Sequence, residues 1–171
     1  RKNEKPVTFR RKQTTFSTIC LAIALLVGIG SASRVSLCLG RKEPKAAAKA
    51  AGNGIVLMGI FGIIYLLVGE AFLSLLLKAF GATTDVFPYA KQYASITLIG
   101  MPFLIVTNGM SNLIRADGKP KYSMVCMVMG AIINTILDPI FIFACDWGIA
   151  GAAWATVIGQ IFSFILALRY L

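Results

Sequence analysis

The sequence holds no histidine, and its four cysteines (Cys20, Cys38, Cys126, Cys145) show no two-residue metal or redox spacing. Structural zinc and dithiol chemistry therefore have nothing to build on, and the cysteines read as small hydrophobes within or at the ends of apolar blocks. No Walker loop, nucleophile elbow or zinc motif occurs, so neither an enzyme nor a resident cofactor is expected. Charge is scarce as well: 14% of residues are charged, against about a quarter in a soluble domain. Acidic residues are the scarcest, seven against seventeen Lys and Arg, which leaves a net charge of +10. Nucleic acid would attract clustered basic residues. Here the positive charge lies in short stretches between apolar blocks without interleaved aromatics, and nucleic acid is not an expected partner.

What is abundant is apolar sequence, 57% of the chain, arranged in long runs. About twenty apolar residues cross a bilayer as a helix, and five blocks qualify, near 16–39, 54–79, 91–113, 122–145 and 149–171. They are continuously apolar instead of alternating, which excludes a lipid-facing barrel. The expected fold class is all-α membrane, a polytopic transmembrane helix bundle whose helices satisfy their own backbone groups in lipid. Small residues in Gly28–Ser33 and Gly148–Ala153 mark places where helices can approach closely.

The connections alternate in charge. Basic residues crowd the stretches near 41–49 and 115–121, whereas Phe80–Asp85 and Asp146–Gly148 have none. The positive-inside rule puts the first two in the cytoplasm and the others outside. Residues 1–15 break the pattern, since Arg1, Lys2, Lys5, Arg10, Arg11 and Lys12 would fall outside. Either the first block does not span as drawn, or this atypical basic N-terminus is not part of the native fold. The expected location is the cytoplasmic membrane of a bacterium, crossed several times.

One acid lies deep within a block. Asp138 sits in Asn134-Thr135-Ile136-Leu137-Asp138-Pro139 with no Lys or Arg in its span. A carboxylate there costs about 2.5–3.5 kcal/mol on insertion scales. Unpaired in low dielectric, it should hold a proton more tightly or recruit a small cation, Na+ being the one metal considered. Asn134 lies one turn earlier on the same face. Pro139 cannot donate to the Thr135 carbonyl and predicts a kink. With the last two spans mirrored about Trp147, Asp138 meets Thr156 and Asn134 meets Gln160 at equal depth. Ala152, Thr156, Gly159, Gln160 and Ser163 then form one small-polar stripe, opposite Trp154, Ile158, Ile161, Ile165 and Leu168. Asn108 and Asn112 share a face of the third span and, with Gln160, are further pathway candidates.

The run Asn112-Leu113-Ile114-Arg115-Ala116-Asp117-Gly118-Lys119-Pro120-Lys121 leads into Gly130–Phe143 and then Gly148–Gln160. In these segments the sequence resembles the MATE family of multidrug and toxic compound extrusion transporters. Gly28–Gly40 and Phe80-Gly81-Ala82-Thr83 also fit. The resemblance implies twelve helices in two six-helix lobes, this chain being a MATE-like N-lobe fragment that supplies about the second to sixth. It implies an antiporter exchanging cationic or amphipathic drugs for H+ or Na+, with Asp138, Asn134 and Thr156 binding the coupling ion. The expected partners are the lipid bilayer, such drugs, and the first helix and C-terminal lobe missing from this sequence.

Two other functions are compatible with an apolar bundle. A lipid-linked oligosaccharide flippase of the related exporter superfamily would be expected to line its cavity with basic residues, which these spans scarcely carry. A non-transporting membrane scaffold would use Asp138 only as interhelical glue.

Overall fold

The structure is a computed structural model that describes residues 22, 25–79, 87–144 and 147–170. Among these, the chain forms five helices and no strands. They are α1 (Leu25–Gly40), α2 (Pro44–Ala79), α3 (Phe87–Ala116), α4 (Pro120–Pro139) and α5 (Gly148–Leu168). A π-helical segment, Ile140–Ala144, continues α4. Four segments are long and apolar enough to cross a membrane: Pro44–Ser74, Ala90–Ala116, Pro120–Phe143 and Gly148–Leu168. The atypical N-terminal stretch, and residues 16–21, 23 and 24 of the block expected at 16–39, lie outside the described residues.

The helix of the second block begins about ten residues earlier than its apolar run. Ala46, Ala47, Ala48, Ala50 and Ala51 are strong helix formers although weakly hydrophobic. Lys45 and Lys49 lie exposed on this first part of the helix, where it approaches the bilayer surface. Hydropathy locates what lipid covers, and propensity carries the helix past it.

The turns after α1 and α3 share one construction. Glu43 N–H donates to Cys38 O at 3.0 Å and Lys42 N–H to Leu39 O at 3.0 Å. Lys119 N–H likewise donates to Ile114 O and Gly118 N–H to Arg115 O. Both patterns satisfy the last carbonyls of a helix through a left-handed residue. That residue is Gly118 (φ 83) in one turn and Lys42 (φ 58) in the other. Each turn ends on a proline, Pro44 or Pro120, which suits the first position of the next helix.

α3 is the hub. In its most apolar window 44% of residues are buried, against 11% for α4. It packs on α2, α5 and α4, while α4 and α5 pack on each other. Glycines let backbones meet. A Cβ on Gly62 would lie 2.8 Å from Pro102 Cα, and one on Gly109 would strike the Met58 side chain. α1 joins through Gly28, against Gly109 and Asn112, and through Ser31, against Gly54. The core enclosed here contains Met58, Ile105, Met110, Leu113 and Ile114, all fully buried. Leu67, Val128, Ile136 and Phe143 lie exposed, as a lipid-facing surface requires.

Candidate functional site

α4 and α5 run antiparallel in close contact because Gly130 and Gly159 face each other. A Cβ on Gly159 would fall 2.8 Å from Gly130 O, and one on Gly130 would fall 2.9 Å from Gly159 O. At one end of this contact Ser163 Oγ donates to Cys126 O at 3.1 Å. At the other, Asn134 Nδ2 donates to Thr156 Oγ1 at 3.3 Å. The Thr156 hydroxyl in turn donates to Ala152 O within its own helix. The two small-polar stripes therefore face each other.

Their register differs from the mirror drawn about Trp147. Asn134 meets Thr156 instead of Gln160, so Asp138 stands about one turn beyond Thr156, towards the α4–α5 connection. The cause lies just after Pro139. From Ile140 the chain winds as a π-helix, whose wider turns advance less per residue than an α-helix. Trp147 N–H closes back on Phe141 O at 3.2 Å, and the two rings stack at 5.4 Å. Gly151 lies against this segment, where a Cβ would be 2.7 Å from Phe141 O. The kink predicted at Pro139 thus takes the form of an α-to-π transition that shortens the end of α4.

Asp138 Oδ1 is buried and accepts no hydrogen bond. Asn134, Thr156 and Gln160 line a cavity of about 230 Å³ between α3, α4 and α5, with Asn108 on its α3 wall. Gln160 Oε1, facing Gly100 of α3, is buried without a partner. Asp138 is not among the lining residues. Asn112 does not line it either: one turn along α3 from Asn108, its side chain packs against Gly28 of α1.

Sequence reasoning passed over Thr107 and Ser111. Both hydroxyls are buried without partners, and Thr107 lines the cavity. The signal was their four-residue spacing, a polar stripe within a long apolar helix, overshadowed by the two asparagines beside it. Thr107 and Gln160 thus leave two buried oxygens unsatisfied at the cavity, and Asp138 leaves one outside it, nearer the α4–α5 connection. Such groups are costly in a dry interior and suit water, a proton or a small cation.

Comparison with known proteins bears on the family and the fold. A MatE family model matches residues 13–140. "Probable multidrug resistance protein YpnP" of Bacillus subtilis is 31% identical over 157 residues, covering 90% of this chain and 35% of the relative. Multidrug export protein MepA of Staphylococcus aureus is 29% identical, with 89% and 34% covered. The solved structure titled "Crystal structure of MATE in the bent conformation" superposes with a TM-score of 0.88 at 24% identity, over 99% of this chain and 38% of that one. The chain spans about a third of the length of the curated relatives it matches. With a matching family model over most of its length, and relatives that share its bundle of apolar helices, this chain belongs to the MatE family of multidrug and toxic compound extrusion proteins.

Proposed function

We propose that the chain forms part of a multidrug efflux antiporter of the cytoplasmic membrane, which exports cationic or amphipathic drugs against H+ or Na+. Asp138 binds the coupling ion, with Asn134 and Thr156 as its oxygen and hydrogen-bond partners. The observation that carries this reading is the buried, unpartnered Asp138 oxygen, one turn from a polar bridge between α4 and α5. An ionised carboxylate so placed gains from a proton or Na+, and only an exchangeable partner lets it cycle. Deprotonation or Na+ release restores a charge beside the π-helical segment, a local geometry often found at functional sites. Each elementary charge crossing the membrane potential supplies about 2.3 kcal/mol per 100 mV, enough to bias a conformational equilibrium. Drugs occupy the mostly apolar cavity on which Asn108 and Gln160 open, and the space it opens into.

The experiment is Asp138→Asn in the complete gene product, read as efflux of a cationic dye driven by an imposed H+ or Na+ gradient. Efflux should fall about tenfold or more, within the range of an allosteric coupling free energy, while membrane insertion stays normal. Efflux at the wild-type rate would refute the role of Asp138, and loss of insertion would mark it as structural.

A further inference from the structure

At the end of the bundle with the basic turns, away from the ion site, lies a second and larger cleft, of about 560 Å³. Its floor is the first three turns of α2, with Ala47, Ala48, Ala51 and Ile55 facing Leu39 of α1 and Leu113 of α3. From Pro44 to Ile55 the floor runs about 16 Å at about 1.5 Å per residue, from the bilayer surface into the hydrocarbon. Its mouth is polar. Lys119 and Tyr170 stand there, the Lys119 ammonium 5.3 Å from the centre of the Tyr170 ring. Asp117 also lines the mouth, with its carboxylate engaged by the Tyr170 hydroxyl. Arg41, Lys42, Lys45 and Lys49 are exposed on the α1–α2 turn and the first turns of α2, with Glu43 as the acid among them.

A long groove with an apolar floor, a mouth that holds both Lys119 and Asp117, and exposed Arg41, Lys42, Lys45 and Lys49 around it against the single acid Glu43 matches one class of occupant in shape and charge. We infer that this cleft seats an anionic phospholipid of the cytoplasmic leaflet, its phosphate at Lys119 and an acyl chain along Ala48, Ala51 and Ile55. Basic pockets between membrane helices on the cytoplasmic side bind acidic headgroups, and each nearby lysine contributes about 1 kcal/mol. The apolar floor sets the requirement for a chain: a free phosphate would leave it empty, and a zwitterionic lipid would place its own cation near Lys119. A bound lipid would tie the α1–α2 turn to the α3–α4 turn and the end of α5. Nothing in this assignment uses Asp138 or the ion site, so the two proposals stand or fall separately.

The test is native mass spectrometry of the detergent-purified chain with phosphatidylglycerol or phosphatidylcholine added. Phosphatidylglycerol should be retained at least about fivefold better. Lys119→Ala should lower that retention about fivefold, the equivalent of about 1 kcal/mol. Ala48→Trp, which fills the groove without altering charge, should lower it as much, while Ile63→Trp on the exposed face of α2 should not. Helical content by circular dichroism checks that each variant is folded. Equal retention of the two lipids, or wild-type retention by folded Ala48→Trp, would overturn the inference, the latter by showing that charge alone attracts the lipid or that another part of the polypeptide fills the groove. Displacement of phosphatidylglycerol by an equal concentration of inorganic phosphate would overturn it too, by showing that the acyl chain adds nothing.

Discussion

At the scale of single residues, magnitudes separate glue from chemistry. An interhelical hydrogen bond in a membrane protein is worth about 0.6 kcal/mol on average. Thr156→Val, which removes the acceptor for Asn134, should therefore cost about that much in thermal stability, yet reduce ion-coupled transport about tenfold or more. Parallel unfolding and efflux measurements check this, and equal small effects on both would leave Thr156 as packing. Outside the membrane, Tyr170 gives a pH-dependent prediction. Its hydroxyl donates to Asp117 at 2.5 Å, and this bond, followed by desolvation and the charge of Asp117, pushes its pKa from 10.0 up to about 12. The neutral phenol is thus favoured in the folded state. Its stabilising effect is whole below pH 10.0, where both folded and unfolded chains hold the proton. It declines as the pH rises towards about 12, because the unfolded chain has then released a proton that the folded chain retains. The tyrosinate absorbance of wild type minus Tyr170→Phe should appear close to pH 12, and move back towards 10 when Asp117→Ala is added to both. An unchanged midpoint in the Asp117→Ala pair would exclude the hydrogen bond as the cause.

At the scale of elements, the sequence made most of the helices legible, because lipid imposes length and apolarity together. It also made the facing stripes legible, since Thr156, Gln160 and Ser163 recur at helical spacing. Register was not, because mirroring two spans about Trp147 assumes uniform rise, and the π-helical turns after Pro139 break that assumption without any apolar or polar signature. Gly151 was the available clue: a small residue opposite Phe141 marks where backbone meets backbone, although sequence alone could not say which backbone. Gly151→Ala should overpack this contact, costing about 1–3 kcal/mol, measurable as a lower unfolding midpoint in detergent. The α1–α2 turn offers the opposite change. Lys42 holds a positive φ that its Cβ disfavours by about 1–2 kcal/mol, while Gly118 does the same work in the α3–α4 turn without that strain. Lys42→Gly should therefore raise stability by about 1 kcal/mol after the entropy of glycine is set against the relief. A decrease would mean that the lysine side chain contributes more than its backbone strain costs.

For the whole molecule, orientation links every functional claim to a side of the membrane. The five helices alternate in direction, and the hydrogen bond from Tyr170 to Asp117 places the end of α5 beside the α3–α4 turn. Arg41, Lys42, Arg115, Lys119, Lys121 and Arg169 therefore gather at one end of the bundle, while the connection at Trp147 and Gly148 has no basic residue. The charge excess of short loops predicts the first end in the cytoplasm. In a background with all four cysteines replaced by alanine, Arg41→Cys and Lys121→Cys should react with a membrane-impermeant maleimide only in inverted vesicles, and Trp147→Cys only in intact cells. Each variant removes at most one positive charge from an end that carries several, so the substitutions leave the bias intact. Labelling of Arg41→Cys and Trp147→Cys from the same side would break the alternation of helices. Reversed labelling throughout would keep the bundle but place the basic cleft in the outer leaflet.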